Sequence, residues 1–449
     1  MYRYLYEHVV YPLYHLVLND GASQAIRALR QNQHLSAGEL RQLEGRKLKA
    51  LLDHAVAQVP YYRQIVKERA IVLSTASARE SLSQFPILTK EAIRAETGSM
   101  VSADLDGNRI DSNSTSGSSG SPLSFFTDRR SKAFRKATVI RNREWLGIRL
   151  GDPVAHLWGS PIDQQRAASL RGNLHSWLTR ESMLDAYQLS DSDLVTYART
   201  LARKRVRLLV GYPSVLVRFA AFCRDEGYRF PTLRAVISSA ETLYPHQSQA
   251  IQEDLGVPVY NRYGCREVGD IAHEIPGCDG LVVNSDRIVV EVLDEEGNAC
   301  PPGTQGEIVV TDLDNYGMPL IRYRIGDLGI WQDAELSRAR MAFPILESVD
   351  GRSLDVVVAP NGNRLGGTFW TILLRTRPGI DMFQVVQNES DNITIRVVPD
   401  QNGENIDEDY FRTEIAKKCG ENLDVSFKYE RNIEAESNGK YRVVISSIH

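Results

Sequence analysis

The stretch "VRLLVGYPSVLVRFAAFCRDEGYRFPTLRAVISSAE", residues 206–241, decides the fold. "VRLLVGYP" reads as a strand, "PSVLVRFAAFCRDEG" as a helix and "LRAVISSAE" as the next strand. The same alternation runs on in both directions. "VAHLWG" from Val154 is a strand and "DSDLVTYARTLARK" from Asp191 a helix; "PHQSQAIQEDLG" from Pro245 is a helix and "PVYNRYG" from Pro258 a strand. Strands alternating with helices of about 10 to 15 residues predict βαβ units and an α/β fold with mixed, mostly parallel sheets.

The flanks differ. Residues 36–70 predict a helix capped by Ser36, with Glu39 completing a capping box and Pro60 ending it. Residues 128–145 predict a second helix with Asp128 at its cap. From residue 281 the pattern becomes strand, turn, strand, with Gly and Pro at the turns, which predicts a smaller β-rich subdomain over about 281–350. From about residue 353 the order is ββαββ, a small α+β unit. The expected division is therefore 1–350 and 353–449, within the usual range of domain sizes.

Composition narrows the function. The chain has 449 residues, of which 42% are hydrophobic and 24% charged, and its formal net charge is −4. Those proportions are ordinary for a globular protein. No global basic field points to nucleic acid. The five cysteines are scattered. That fits a reducing compartment better than a disulfide framework. No run reaches the roughly 18 apolar residues of a membrane helix. The start, "MYRYLYEHVVYPLYHLVLND", is interrupted by Glu7, His8, Pro12 and His15 and does not read as a signal peptide. The expectation is a cytoplasmic protein whose N-terminal segment packs on the body, a peripheral membrane contact through Tyr11, Leu13 and Leu16 being the alternative.

The chemistry starts at "STSGSSGSP", residues 114–122. The strand-like "PLSFFTD" and the helix capped by Asp128 follow at once, so the stretch sits inside a folded domain. Gly117 and Gly120 allow positive φ and close backbone approach. The amides and the hydroxyls of Ser114, Thr115, Ser116, Ser118 and Ser119 can all donate to one anion, for which phosphate is the natural guest. No Gly-Lys-Ser/Thr closes the loop, so it is not a Walker loop. On its own the stretch leaves both a linker and a phosphate loop open.

Three later motifs bear on it. "NRYGCREVG" at 261–269 offers Tyr263 and Glu267: an aromatic ring that can stack on a base, and a carboxylate that can hold Mg2+ beside phosphates. "YRIGDLG" at 323–329 sets Asp327 in a Gly-flanked turn, where it can accept both hydroxyls of a ribose. "SNGKYRVV" at 437–444 places Lys440 beside an Asn-Gly turn. Each has a plainer explanation: a core tyrosine, a turn aspartate, a solvated lysine.

The ordered set "STSGSSGSP", "YGCRE", "YRIGD", "GR" and "NGK" resembles the adenylate-forming acyl ligases. More closely, it resembles their phenylacetate–coenzyme A ligase branch, including relatives found with capsular polysaccharide biosynthesis, and "LLDHAVAQVPYYR" looks like that branch too. The resemblance implies a large N-terminal domain, a small mobile C-terminal domain, ATP and Mg2+, and an acyl-adenylate intermediate. By it, Thr115 to Gly120, with Ser114, would cradle the phosphates. Ala240 and Glu241 of "SSAETL" would lie against adenine, Tyr263 and the adjoining Gly264 at the nucleotide, and Glu267 on Mg2+. Asp327 would bind the ribose, Arg352 the ribose or α-phosphate, and Lys440 would be the catalytic lysine. Leu123 follows Pro122 where many relatives have lysine; the phenylacetate branch lacks that lysine too, so the departure fits the branch. At the hinge the family has Asp or Lys two residues after the Arg; here Leu354 stands there and Asp355 follows.

The residue types suit the reaction. A carboxylate must attack the α-phosphorus of ATP, and both are anions; Mg2+ on Glu267 and the Lys440 ammonium would neutralise that charge. Coenzyme A is the acceptor that the resemblance implies; the alternative is an amine or hydroxyl, for instance on a sugar. A homodimer is left open. Cys265, His273, Cys278 and Cys300 are soft-metal candidates, but their spacing matches no standard zinc site, and burial is the commoner explanation. The basic run Arg199 to Arg207 reads as a solvated helix end before a strand rather than a coenzyme A phosphate contact. Trp158 and Tyr212 follow strands and are the candidates for the acyl pocket.

Overall fold

The computed structural model of the chain describes residues 2–74, 77–104, 110–114, 123–158, 176, 178–185, 190–333, 341–352, 356–361, 363–374, 379–400, 406–420, 422–434 and 442–448. At 351, 352, 364, 366–368, 371 and 372 only the backbone is described.

Two short strands precede the main sheet: β1 (Ile110–Ser114) and β2 (Ser124–Asp128), an antiparallel pair running from Ile110 opposite Asp128 to Ser114 opposite Ser124. The Ser/Gly stretch thus connects the two strands of one hairpin, and its ends are pinned in register. The pairing of its ends favours a loop within a domain over a linker between domains; residues 115–122 themselves lie outside the described residues.

The main sheet is built from β3 (Val154–Trp158), β4 (Glu181–Asp185), β5 (Leu208–Gly211), β6 (Ala235–Ser239), β7 (Val259–Cys265), β8 (Gly269–Glu274), β9 (Leu281–Val283), β10 (Ile288–Leu293), β11 (Gln305–Asp312), β12 (Tyr323–Trp331) and β13 (Ile345–Arg352). Their order across the sheet is β10-β11-β12-β13-β9-β8-β7-β6-β5-β3-β4. Pairing is parallel from β4 to β7 and antiparallel from β7 onward. β7 is therefore the boundary between two styles of sheet. The β-rich stretch expected over 281–350 is present, and its strands extend this sheet: β8 folds back on β7 and offers its free edge to β9.

The parallel strands read as unbroken apolar runs because both faces are covered. Leu209 and Val236 pack under the helices Asp191–Lys204, Pro213–Asp225 and Pro245–Leu255, through Leu201, Phe219 and Ile251 among others. Leu208, Val210, Ala235 and Ile237 face the opposite way and pack with Ile148. The antiparallel half buries Ile288, Val290, Ile308 and Val310 in one core with Leu48, Leu51, Leu52 and Ala55 of the helix Ala37–Gln58.

That helix starts at the expected capping box, with Ser36 and Glu39 bonding reciprocally. Pro60 follows its end and begins the next helix, Pro60–Glu68; Val59 between them is extended, as a residue before proline prefers. Asp128 caps the helix Arg129–Trp145 by accepting from the Ser131 amide at 2.7 Å.

The C-terminal ββαββ order is present. After the short pair β14 (Val356–Val358) and β15 (Arg364–Gly366) come β16 (Ile380–Glu389), β17 (Asn392–Pro399), β18 (Asp424–Tyr429) and β19 (Val444–Ser446). The last four form their own sheet in the order β18-β17-β16-β19. The helix Glu408–Cys419 covers it, burying Phe411, Ile415 and Cys419 against Phe383, Val385, Ile393 and Ile395.

At the other end, the helical segment Tyr2–Val17 packs Tyr6 and Tyr11 against Ala25, Ile26 and Leu29. Of the residues singled out there for a membrane contact, Tyr11 is buried, while Leu13 and Leu16 are exposed.

Candidate functional site

Trp158 ends β3, Tyr212 follows β5, Ala240 follows β6, and Tyr263 and Gly264 lie at the end of β7 with Glu267 just beyond it. These strands are parallel, so all these positions lie at the carboxyl ends of neighbouring strands, where open α/β sheets bind ligands. The candidate residues are far apart in the chain and meet at one edge of the sheet.

Each is held by its neighbours. Trp158 and Tyr212 form a ring pair, with centroids 4.6 Å apart and planes tilted 36°. The Arg262 guanidinium lies over the Trp158 ring at 5.9 Å. Ala240 has a φ of 72°, in the left-handed region. That conformation costs a residue with a Cβ roughly 1–2 kcal/mol. It turns the chain so that the Glu241 carboxylate accepts from Ser214, from the backbone amide at 3.3 Å and from the hydroxyl at 3.2 Å. Ser214 is in the first turn of the helix Pro213–Asp225, where an anion is favoured. Glu241 thus anchors the turn that carries Ala240.

The two Tyr-containing motifs interlock. Tyr263 and Glu267, four residues apart, meet Tyr323 and Asp327, also four apart, crosswise. The Tyr263 hydroxyl donates to Asp327 Oδ2 at 2.8 Å, and the Tyr323 hydroxyl donates to Glu267 Oε1 at 2.7 Å. Burial, then the neighbouring carboxylate, pushes both tyrosines well above their ordinary pKa, so both remain donors at any physiological pH. Burial, followed by Glu267, does the same to the Cys265 thiol. Gly264 lies hard against β8: a Cβ there would stand 2.5 Å from the Gly269 carbonyl oxygen. Asp327 is opposite Arg352 in the β12–β13 register, which sets the two ribose candidates side by side along the backbone.

The turn after β7 is clamped from the helix Arg129–Trp145. Arg135 donates to the carbonyls of Arg266, at 2.9 Å, and Glu267. The Arg266 guanidinium reaches the Ser114 carbonyl at 3.5 Å, so the Glu267 turn lies beside the root of the Ser/Gly loop.

Glu267 is 5% exposed, and among the described residues no Lys or Arg forms an ion pair with it; Arg135, the nearest clamp, pairs with Asp312 instead. A buried carboxylate without a cation is costly, so a divalent ion whose remaining ligands are phosphate oxygens and water fits this position. No three His, Cys, Asp or Glu side chains among the described residues group to hold a metal. His273 is fully buried on β8, with Nδ1 2.5 Å from the Glu274 carbonyl and Nε2 without a partner among the described residues. Burial pulls its pKa down to about 4. Cys300 faces the Gln305 carbonyl in the β10–β11 turn. The basic run ends in solvent, apart from Lys204 on Ser182 and Arg207 near Asp152.

Thr115, Ser116, Gly117, Ser118, Ser119, Gly120 and Lys440 lie outside the described residues, and of Arg352 only the backbone is described. Sequence reading missed Tyr323 and Arg135. Tyr323 left a signal in the repeated four-residue spacing of the two motifs. Arg135 left none, being one of seven basic residues in its helix.

Comparison with known proteins agrees with this fold. Residues 184–313 match a family model described as AMP-binding enzyme, and residues 357–447 match one described as the CapK C-terminal domain. Protein CapK of Staphylococcus aureus is 23% identical over 433 residues, covering 95% of this chain and 92% of that protein. A phenylacetate-coenzyme A ligase of Aromatoleum evansii is 25% identical over 338 residues, 72% of each. Among solved structures, 2-hydroxyisobutyryl-CoA ligase in the postadenylation state aligns with a TM-score of 0.75 at 21% identity, covering 93% of this chain and 92% of that one. The same enzyme in its thioesterification state aligns with a TM-score of 0.62.

Proposed function

Since the chain belongs to the adenylate-forming ligase superfamily, we propose that it activates a carboxylic acid with ATP as an acyl-adenylate and passes the acyl group to coenzyme A. The observation that carries the reading is the crosswise pairing of Tyr263–Asp327 and Glu267–Tyr323 at the carboxyl edge of the parallel strands.

In this reading Tyr263 offers its ring to adenine while its hydroxyl orients Asp327 for the ribose. Ala240 and Gly264 let backbone approach the nucleotide, and Arg352 joins Asp327 on the sugar side. The loop from Ser114 to Gly120 receives the phosphates at the end of its hairpin. Mg2+, when bound, neutralises charge on those phosphates; Glu267, oriented by Tyr323 and by Arg135 behind it, is its ligand. Trp158, Tyr212 and Arg262 line the neighbouring strand ends, an aromatic wall beside a cation, and hold the acid near the α-phosphate. Residues 353–449 form the small unit that delivers Lys440 to the reacting phosphate and withdraws it for the second step.

A second acceptor class, an amine or a sugar hydroxyl, has its own support. The sequence resembles relatives found with capsular polysaccharide biosynthesis, and residues 357–447 match a family model described as the CapK C-terminal domain. The test is acid-dependent pyrophosphate release across a panel of aryl and aliphatic acids, followed by acyl transfer to hydroxylamine and to coenzyme A. Thioester formation with any active acid supports the ligase reading. Hydroxamate without thioester moves the assignment to the second class, and no pyrophosphate release with any acid removes both.

A further inference from the structure

Most of the exposed large apolar side chains among the described residues lie in one short segment. Eight of ten fall within the first eighteen residues, and the most exposed of these are Val17 at 83%, Leu16 at 73% and Tyr4 at 71%. The segment is helical from Tyr2 to Val17, with a π turn over Tyr6–Val10. That wide turn matters: Tyr6 and Tyr11 are five positions apart, which an α-helix would set on different faces, yet both are buried on the inner face. The outer face is then Leu5, Val9, Leu13 and Leu16, spaced by three or four residues, with Val17 beside Leu16, and no described element covers it.

Charge is distributed in keeping with this. No acidic side chain stands on the outer face. Glu7 is taken by Arg30, and Asp20 by His15. Three exposed arginines, however, flank the start of the helix. Arg3 lies against Gly151, where a Cβ would stand 3.3 Å from Arg3 Cα; Arg180 donates to the Gly151 carbonyl at 3.3 Å; and Arg149 is two residues away. Arg180 also lies over the Tyr2 ring at 5.2 Å, and Tyr2 donates to the Leu178 carbonyl at 2.6 Å. The nearby Asp152 is buried and accepts from the Arg149 amide at 3.0 Å.

We propose that the outer face of the Tyr2–Val17 helix docks on an anionic lipid bilayer, with Leu5, Val9, Leu13, Leu16 and Val17 in the interface and Arg3, Arg149 and Arg180 on lipid phosphates. An apolar stripe, tyrosines at one end and a cationic cluster beside it are the features by which a helix lies in a headgroup layer without crossing it. No described helix is long and apolar enough to cross a membrane. A second copy of the chain is a poorer occupant. Antiparallel self-docking would bring the arginine end of one helix to Leu16–Asn19 of the other, where the nearest acid, Asp20, is already paired with His15. Docking of this face is independent of which acyl acceptor the protein uses.

The experiment is flotation of the full chain with vesicles of phosphatidylcholine alone and of phosphatidylcholine with phosphatidylglycerol in equal parts, alongside sedimentation velocity without lipid. The wild type should float with the anionic vesicles, less with the neutral ones, and less at high salt. Leu16→Glu with Val17→Glu should abolish flotation and leave melting temperature and acid-dependent pyrophosphate release unchanged. Arg3→Gln should lower the partition coefficient about fivefold on anionic vesicles only. Should the double variant misfold, Leu16→Ser alone should still weaken flotation measurably. A wild type that stays in solution with anionic vesicles overturns the proposal. So does a dimer that forms without lipid and is broken by Leu16→Glu, which would give the face to a second copy of the chain.

Discussion

The Tyr323 hydroxyl donates to Glu267 Oε1 at 2.7 Å, with both side chains buried. This bond aims the carboxylate, and a hydrogen bond to a charged group is worth about 1.5–3 kcal/mol. Tyr323→Phe should therefore fold, melt a few degrees lower, and need several-fold more Mg2+ for half-maximal pyrophosphate release. Glu267→Gln, which removes the ligand charge itself, should lower the rate by about a hundredfold at saturating Mg2+. Titrating Mg2+ against both variants separates the roles. If Tyr323→Phe changes stability but not the Mg2+ requirement, Tyr323 only fills the core.

Gly264 makes a purely steric prediction. A Cβ at this position would stand 2.5 Å from the Gly269 carbonyl oxygen, which leaves no room for a methyl group, and the obstacle is backbone. Gly264→Ala must spread β7 from β8 and should cost about 1–3 kcal/mol, as overpacking does. Chemical denaturation reads this directly. Nucleotide affinity should fall as well, because Tyr263 adjoins the displaced residue and Glu267 follows it. The β7–β8 register shifts between Tyr263 and Gly264, and a variant of wild-type stability would show that this irregularity yields easily.

What is legible in the sequence follows from the range of each signal. The alternation of strand and helix from Val154 to Cys265, the capping box at Ser36 and Glu39, and the Asp128 cap are local, and all appear where the residues point to them. Edge pairing is not local. Nothing in "LVV" at 281–283 says that it will join β8 rather than start a new sheet. Tyr263 and Asp327 are legible as single residues with chemistry of their own. Their contact, and that of Glu267 with Tyr323, depends on two strands meeting across 64 and 56 residues of chain. Tyr11 turns inward through the π turn before it, and no sequence pattern announces that turn.

His273 predicts a pH dependence of stability. Its imidazole is buried neutral, with a pKa lowered to about 4 by desolvation, against about 6.5 in an unfolded chain. Between those values the unfolded state binds the proton and the folded state does not. Stability from this group is therefore complete above about pH 6.5 and is lost progressively as pH falls towards 4, by up to about 3 kcal/mol. His273→Gln should flatten that part of the curve while leaving the carboxylate-driven loss at lower pH. Denaturant midpoints from pH 7 to 4 test it. Parallel curves for wild type and variant would mean the ring gains a partner when it is protonated.

Lys440 gives the sharpest separation of steps. It stands in "SNGKYR", which connects to β19, the strand that pairs in parallel with β16 in the small sheet. A lysine kept for solubility could be replaced at less than about half a kcal/mol. A lysine that neutralises the attacked α-phosphate is needed only while the adenylate forms. Lys440→Ala should leave melting temperature and ATP binding nearly unchanged, and adenylate formation should fall by about two to three orders of magnitude. The same variant supplied with preformed acyl-adenylate should still transfer the acyl group, since in the proposed second step the small unit carries this residue away. Equal loss of both half-reactions would mean that one arrangement of the unit serves both. Retention of both would take Lys440 out of the site and leave Glu267, with the Ser/Gly loop, to manage the phosphate charge.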